Sequence, residues 1–180
     1  MLLVPEDLPK EAQYFLPNSG WISPHRNSEI LSGWGVEEGR EYLERTGRID
    51  GWWVYYARGS KMITAPEEIF CNVIMYQTAE GARITVDEYN PMVATFRGYK
   101  DWDYVEDVIL DVGDTNAFMW TKEMQPSGKN KVNYRFEFSH RNYVVAMGFY
   151  GWEYDVTIEF VENTARTMLA KLEAAPLSEP

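Results

Sequence analysis

The side chains with the greatest chemical reach in this sequence are two histidines, His25 and His140, a lone cysteine, Cys71, and a cluster of carboxylates. His140 follows Glu137 and Ser139, the residue types of a base, an acid and a nucleophile. In a strand, however, Ser139 and His140 point to opposite faces and do not meet. Zinc asks for three or four ligands at recognisable spacing, and none appears. The run DWDYVEDVILDVGDTN holds Asp101, Asp103, Glu106, Asp107, Asp111 and Asp114. It does not fit an EF-hand loop, and as a strand it spreads Asp103, Asp107 and Asp111 too far for one ion. It reads as a solvated acidic edge. Cys71, within EEIFCNVIMY, has no disulfide partner and reads as a small buried apolar residue. No nucleophile elbow, Walker loop or dinucleotide fingerprint occurs. No catalytic residue, metal site or cofactor is therefore expected.

A binding site is the stronger expectation. In GRIDGWWVYYARG, residues 47–59, a strand puts Trp52, Val54 and Tyr56 on one face and Trp53, Tyr55 and Ala57 on the other. Large rings fill cores more often than sites, so packing on both faces is the first reading. The sharper one makes Trp53 and Tyr55 a cavity wall, facing Tyr150 and Trp152 with Arg135 and Glu137 as polar groups. Such an aromatic box suits a sugar, a peptide end or an amphipathic molecule. A third reading exposes Trp102, Tyr104 and Trp21 as a surface for a homodimer or another protein.

These side chains need a sheet to hold them. The first 27 residues carry Pro5, Pro9, Pro17 and Pro24 and read as an extended arm with at most one short helix. Asn27 or Ser28 is expected to cap a short turn through Trp34. VEEGREYLERTG then reads as a helix with Val36, Arg40 and Leu43 along one side and Gly47 as its terminator. Strands are expected at about 48–58, 68–77, 105–112, 116–123, 132–139 and 143–150. The cleanest alternates Val132, Tyr134, Phe136 and Phe138 against Asn133, Arg135, Glu137 and Ser139. Thr78 caps a helix through AEGARITVDEY, and Asp155 caps a last one with Ile158, Val161, Ala165, Met168, Leu169 and Leu172 as its apolar stripe. The strand–helix pairs at 68–90 and 143–173 suggest a weak repeat of a β-β-α unit. The fold class is α+β: an antiparallel sheet of about six strands with helices packed on its faces. One domain spans 1–180, with the arm at 1–27, the core at 28–174 and a frayed tail at 175–180.

The net charge of −11 sets nucleic acid aside, since Lys129, Lys131, Arg135 and Arg141 are too few to hold a polyanion. No stretch is long and apolar enough for an integral membrane segment. VPEDLP, the helix ending in the G-x-x-x-G-W of Gly47, Gly51 and Trp52, YQTAEGA, VGD at 112–114 and NYVVA at 142–146 resemble a loose group of bacterial exported or lipoprotein-type domains. In those the architecture is similar to the Mog1/PsbP-like α/β/α sandwich. The sequence departs from the pattern at Arg141, where the hairpin usually has Gly, and at Lys10-Glu11. The matching positions are turns, a cap and a hairpin, so no site residue carries over. The resemblance implies an extracytoplasmic home, ahead of a cytoplasmic one, with an export signal already removed. The expected function is a non-enzymatic binding or protein-interaction module for an unknown small molecule or protein partner. The alternative is a small hydrolase using His140 and a carboxylate.

Overall fold

The computed structural model describes residues 2–8, 21–57, 66–88 and 110–175, without the side chains of Trp21 and Trp34. After a 3₁₀ turn (Pro5–Asp7) come β1 (Trp21–Pro24), α1 (Asn27–Trp34), α2 (Val36–Thr46), β2 (Arg48–Ala57) and β3 (Glu68–Tyr76). They are followed by α3 (Ala79–Glu88), β4 (Thr115–Met124), β5 (Asn130–His140), β6 (Tyr143–Trp152) and α4 (Ile158–Ala174). The six strands form one antiparallel sheet in the order β1-β2-β3-β6-β5-β4. Helices lie on both sides, so the fold is α+β as the periodicities imply.

The period-two pattern of β5 sets one side of the sheet. Val132, Tyr134, Phe136 and Phe138 are all buried on the face that α4 covers. The α4 stripe Val161, Ala165, Met168 and Leu172 packs there with Val54, Cys71, Val145 and Met147. Cys71 is fully buried, and burial pushes its thiol up to about 12, so it stays an unreactive apolar filler. The arm closes this core: Leu3 and Leu8 are buried in it, Tyr56 donates to the Leu3 carbonyl at 3.0 Å, and Lys171 bonds the Leu2 carbonyl and Asp7. The helix is capped by Thr157, whose hydroxyl accepts from Phe160 N at 3.1 Å, and not by Asp155, which lies in the preceding turn. The cap belongs to the residue just before the first helical one, and Asp155 stands three residues before Ile158.

The opposite face carries α1, α2 and α3. Ile30, Tyr42, Ala82 and Val86 pack there on Ile74, Tyr76 and Val144. Three expectations change here. The buried side of α2 is Gly39, Tyr42 and Thr46, whereas Val36 is exposed, because the helix docks α1 and α3 through a small-residue contact and one phenol. No side-chain cap starts α1; Arg26 supplies its backbone carbonyl to Glu29 instead. Leu110 and Val112 are buried but not in a strand; the sixth strand is β1, from the arm, which pairs with β2. Residues 105–109 lie outside the described ones, as do 89–104 and the tail from 176.

The two β-β-α units differ in a way that rules out a repeat. Adjacent antiparallel strands are related by a two-fold axis normal to the sheet, which would keep both helices on one face. Here α3 and α4 lie on opposite faces. Both outer strands are blunted as edges: β1 is four residues long and ends in Pro24, and β4 carries Lys122 and Glu123.

Gly47 ends α2 in the left-handed region (φ 63°), as its sequence position implies, and Thr78 caps α3 through Gly81 N at 3.0 Å. Gly81 faces the Thr46 carbonyl so closely that a Cβ would overlap that oxygen. A backbone atom cannot swing aside, so Gly81→Ala is expected to cost about 1–3 kcal/mol. Gly33, in α1 with open space around it, is the control. Gly33→Ala should stabilise by about 0.5–1 kcal/mol. Urea midpoints followed by tryptophan fluorescence check both signs.

Candidate functional site

The sheet register places all six side chains singled out in the sequence, Trp53, Tyr55, Arg135, Glu137, Tyr150 and Trp152, on the α3 face. They fall in successive rows across the strands. Trp53, Asn72, Ala146, Glu137 and Ala117 form one row; Tyr55, Phe70, Gly148, Arg135 and Met119 form the next. Tyr150 sits between Glu68 and Asn133 in a third, and Trp152 pairs with Lys131 in a fourth. Three strand spacings, about 14 Å, separate Trp53 from Glu137 and Tyr55 from Arg135. The six therefore share a face but divide into separate neighbourhoods.

In the second row the smallest residue decides the arrangement. Both the Phe70 ring and the Arg135 guanidinium occupy the space that a Cβ on Gly148 would need. Arg135 Cζ stands 4.2 Å from the Phe70 ring centre, a cation–π contact. Burial pulls the Arg135 pKa down to about 10, against the opposing charge of Glu68, so the guanidinium stays charged at neutral pH. Tyr55 lies at the other end of the row, its phenol shifted upward by burial and by Glu68.

The third and fourth rows border a cleft of about 310 Å³ lined by Thr121, Glu123, Lys131, Asn133 and Tyr150, among others. Lys131 Nζ lies 4.9 Å from the Tyr150 ring centre and 5.1 Å from that of Trp152, and pairs with Glu67 at 2.6 Å. Burial works against its charge, but hydrogen bonds to Glu67 and Tyr150 carry its pKa above the ordinary lysine value. Trp152 stacks on Tyr154 at 6.2 Å, with the rings within 4° of parallel. Asn133 Oδ1 is buried at the cleft with no hydrogen-bond partner.

The first row is the most enclosed. Glu137 is 2% exposed, and its Oε2 has no hydrogen-bond partner. Burial alone pushes its carboxyl up to about 8, so most of it is protonated at pH 7. Nearby, Tyr42 and Tyr76 share a hydrogen bond of 2.8 Å, and burial raises both phenols. At the other end Asn72 Nδ2 donates to His25 Nδ1 at 2.8 Å. Burial, then Arg48, lowers the His25 pKa, which keeps the imidazole neutral and able to accept. Arg48, itself buried, donates to Asn27 Oδ1 and the His25 carbonyl.

His140 lies on the α4 face, its Nδ1 3.4 Å from Asp114 Oδ1, whereas Glu137 and Ser139 lie on the other face. Asp114 Oδ2 also accepts from Arg141 N at 2.7 Å, and Arg141 adopts the left-handed conformation of the turn (φ 53°). Of the acidic run, Asp101 to Asp107 fall outside the described residues, as do Trp102 and Tyr104. Among the described residues no three His, Cys, Asp or Glu side chains come together as a metal site. Sequence reasoning missed Phe70, Asn72, Lys131 and Asn133. For Phe70 and Asn72 the signal was the small pair Gly148 and Ala146 opposite them on β6.

Glu137 gives the site a testable electrostatic signature. Its folded pKa, about 8, is above the ordinary value of 4.5, so its contribution is fully present below about pH 4.5 and is lost as pH rises through 8. The loss amounts to about 3–5 kcal/mol. Glu137→Gln removes the charge and keeps the shape. The variant should match the parent at pH 5 and exceed it increasingly toward pH 9, as read from urea midpoints. Parallel pH profiles for the two proteins would refute the assignment.

No family model matches the chain, and no curated protein matches it. Among solved structures it is similar to the extracellular domain of PknH from Mycobacterium tuberculosis, with a TM-score of 0.41 and 13% identity, covering 87% of this chain and 80% of that one. No helix among the described residues is long and apolar enough to cross a membrane.

Proposed function

We propose that the protein is a non-enzymatic binding module that holds a small hydroxyl-rich ligand on the α3 face, in the cleft beside Tyr150. The observation that carries this reading is the unpartnered Asn133 Oδ1, buried at the edge of a cleft large enough for a sugar-sized molecule. Thr121, Glu123 and Lys131 add a hydroxyl, a carboxylate and an ammonium around it. Such a set exchanges several hydrogen bonds with hydroxyl groups, while Tyr150 supplies an apolar border. Arg135, Tyr55 and Trp53 extend the same face away from the cleft. The sequence resemblance to exported bacterial domains supports a working place outside the cytoplasm.

A protein partner is the second reading. Ile22 is 56% exposed on the edge strand β1 and Trp52 47% on its neighbour β2, beside a depression of about 190 Å³ lined by Trp52, Val73, Met75 and Tyr143. That apolar edge would serve a homodimer, which concentration-dependent mass measurement would reveal.

The cleft is tested by titrating the isotopically labelled chain with a panel of mono- and disaccharides and following amide shifts. Saturable shifts clustered at Thr121, Lys131, Asn133 and Tyr150 are expected, with Asn133→Leu weakening the interaction about tenfold through one lost hydrogen bond. No saturable shifts, or binding unchanged in that variant, would overturn the reading.

A further inference from the structure

Next to the cleft, where β5 begins and β6 ends, two aromatic rings stand outside both hydrophobic cores. Tyr154 is 59% exposed, yet its ring lies within 4° of parallel to that of Trp152, at 6.2 Å. The turn that carries Tyr154 is held on both flanks. The Trp152 carbonyl accepts from Asp155 N at 2.9 Å and from Val156 N at 3.0 Å, and Glu153 N donates to the Asn130 carbonyl at 3.1 Å. The Glu153 carboxylate is fixed by Lys122 Nζ at 2.6 Å and Asn130 Nδ2 at 2.8 Å, bonds that hold its pKa below the ordinary carboxylate value. An exposed ring on such a turn is presented before anything binds, so little ordering remains to be done when a ligand stacks on it.

These rings continue the border of the cleft. Trp152 follows Tyr150 by two residues on β6, on the same face and about 6.6 Å along it. Lys131 Nζ stands between them, 4.9 Å from the Tyr150 ring centre and 5.1 Å from that of Trp152. Tyr154 adds the third ring, and Lys129 Nζ lies 5.5 Å from its centre. A file of aromatic rings therefore starts in the cleft wall at Tyr150 and ends in solvent at Tyr154, with two ammonium groups along it.

We propose that Trp152 and Tyr154 form a second subsite, which takes a further ring of an oligosaccharide whose end lies in the cleft. The proposal rests on the reading of the cleft as a site for a hydroxyl-rich ligand, and it makes that ligand a chain of sugars instead of a single one. A pyranose has an apolar C–H face and a rim of hydroxyls. The face packs on flat aromatic side chains, which are large, apolar in body and already ordered here. The rim calls for hydrogen-bonding groups beside the rings, and the two lysines stand there. Hydrogen bonds to Glu67 and Tyr150 occupy two of the three Lys131 donors, and the third is within reach of a hydroxyl on either side of the ammonium. Lys129 is exposed, and its flexible stem lets the ammonium move from the Tyr154 ring to a hydroxyl of the sugar stacked there. Glu67 on Lys131, Glu123 opposite it on β4 and Glu153 in the turn bring negative charge to the same stretch, so a neutral chain fits better than an acidic one.

Titration of the isotopically labelled full chain with glucose, cellobiose and cellotetraose, and with maltose and maltotetraose, tests chain length against linkage. Glucose should shift the amides of Thr121, Asn133 and Tyr150 alone. The tetrasaccharide of the matching linkage should also shift the Trp152 indole N–H and the amides of Glu153 and Tyr154. It should bind about fivefold more tightly than glucose, the gain expected from one stacked ring. Tyr154→Ala should bring the ratio between tetrasaccharide and glucose affinities close to one, whereas Tyr154→Phe, which keeps the ring, should retain it. Shifts confined to the cleft, with affinity independent of chain length, would overturn the second subsite and leave the cleft standing. A gain with length that survives in Tyr154→Ala would overturn it too. No saturable shift with any of these sugars would overturn the reading of the cleft, and the subsite with it.

Discussion

The pairing of β3 with β6, Glu68 to Met75 against Tyr150 to Tyr143, is the interaction on which the rest of the molecule depends. It joins the β2–β3 hairpin to the β5–β6 hairpin and places both strands in the middle of the sheet. Residues 144–149 are buried without interruption, which only a strand covered on both faces can show. Once that ladder forms, each face must find its own cover. The chain supplies α4 and the arm to one, and α1 to α3 to the other.

The two faces are built on different terms. On the α4 side the contacts are almost wholly apolar, and the arm is drawn in through Leu3, Leu8 and the Lys171–Asp7 pair. Burial there needs no polar partner and brings the main hydrophobic stabilisation. On the α3 side, buried Glu137, Ser139, Thr85 and Arg48 stand among apolar neighbours. Some are satisfied, as in the Tyr42–Tyr76 bond, but others are not. A face that leaves buried polar atoms unmade gives up stability that the apolar face keeps.

Small residues control what that face can hold. Gly148 lets Arg135 and Phe70 meet over β6, which fills the middle of the trough. Ala146, one row away, keeps a methyl between Asn72 and Glu137, and Tyr150 on the other side borders the open cleft. The polar groups on this face are thus partitioned by β6 into neighbourhoods with different burial. Electrostatics follow the partition: Glu137, deepest, holds its proton, whereas Arg135 and Lys131 keep their charges.

Much of this architecture was legible from local pattern. The alternation in β5, the two-faced aromatics of β2, the Gly47 terminator, the Thr78 cap and the Arg141–Asn142 turn each follow from backbone geometry that neighbouring residues determine. The sharing of one face by Trp53, Tyr55, Arg135, Glu137, Tyr150 and Trp152 was legible for the same reason, since side chains alternate strictly along a strand. The choice of β1 as the sixth strand was not, because an edge strand of four residues forms only where a partner edge is already waiting. Nor could periodicity say that α3 and α4 cover opposite faces, or that three strand spacings keep Trp53 from Glu137. Sequence determined which way each side chain points along its own strand. Tertiary structure decided which strands lie between them, because lateral order is set by long-range pairing and burial, and neither leaves a local signal.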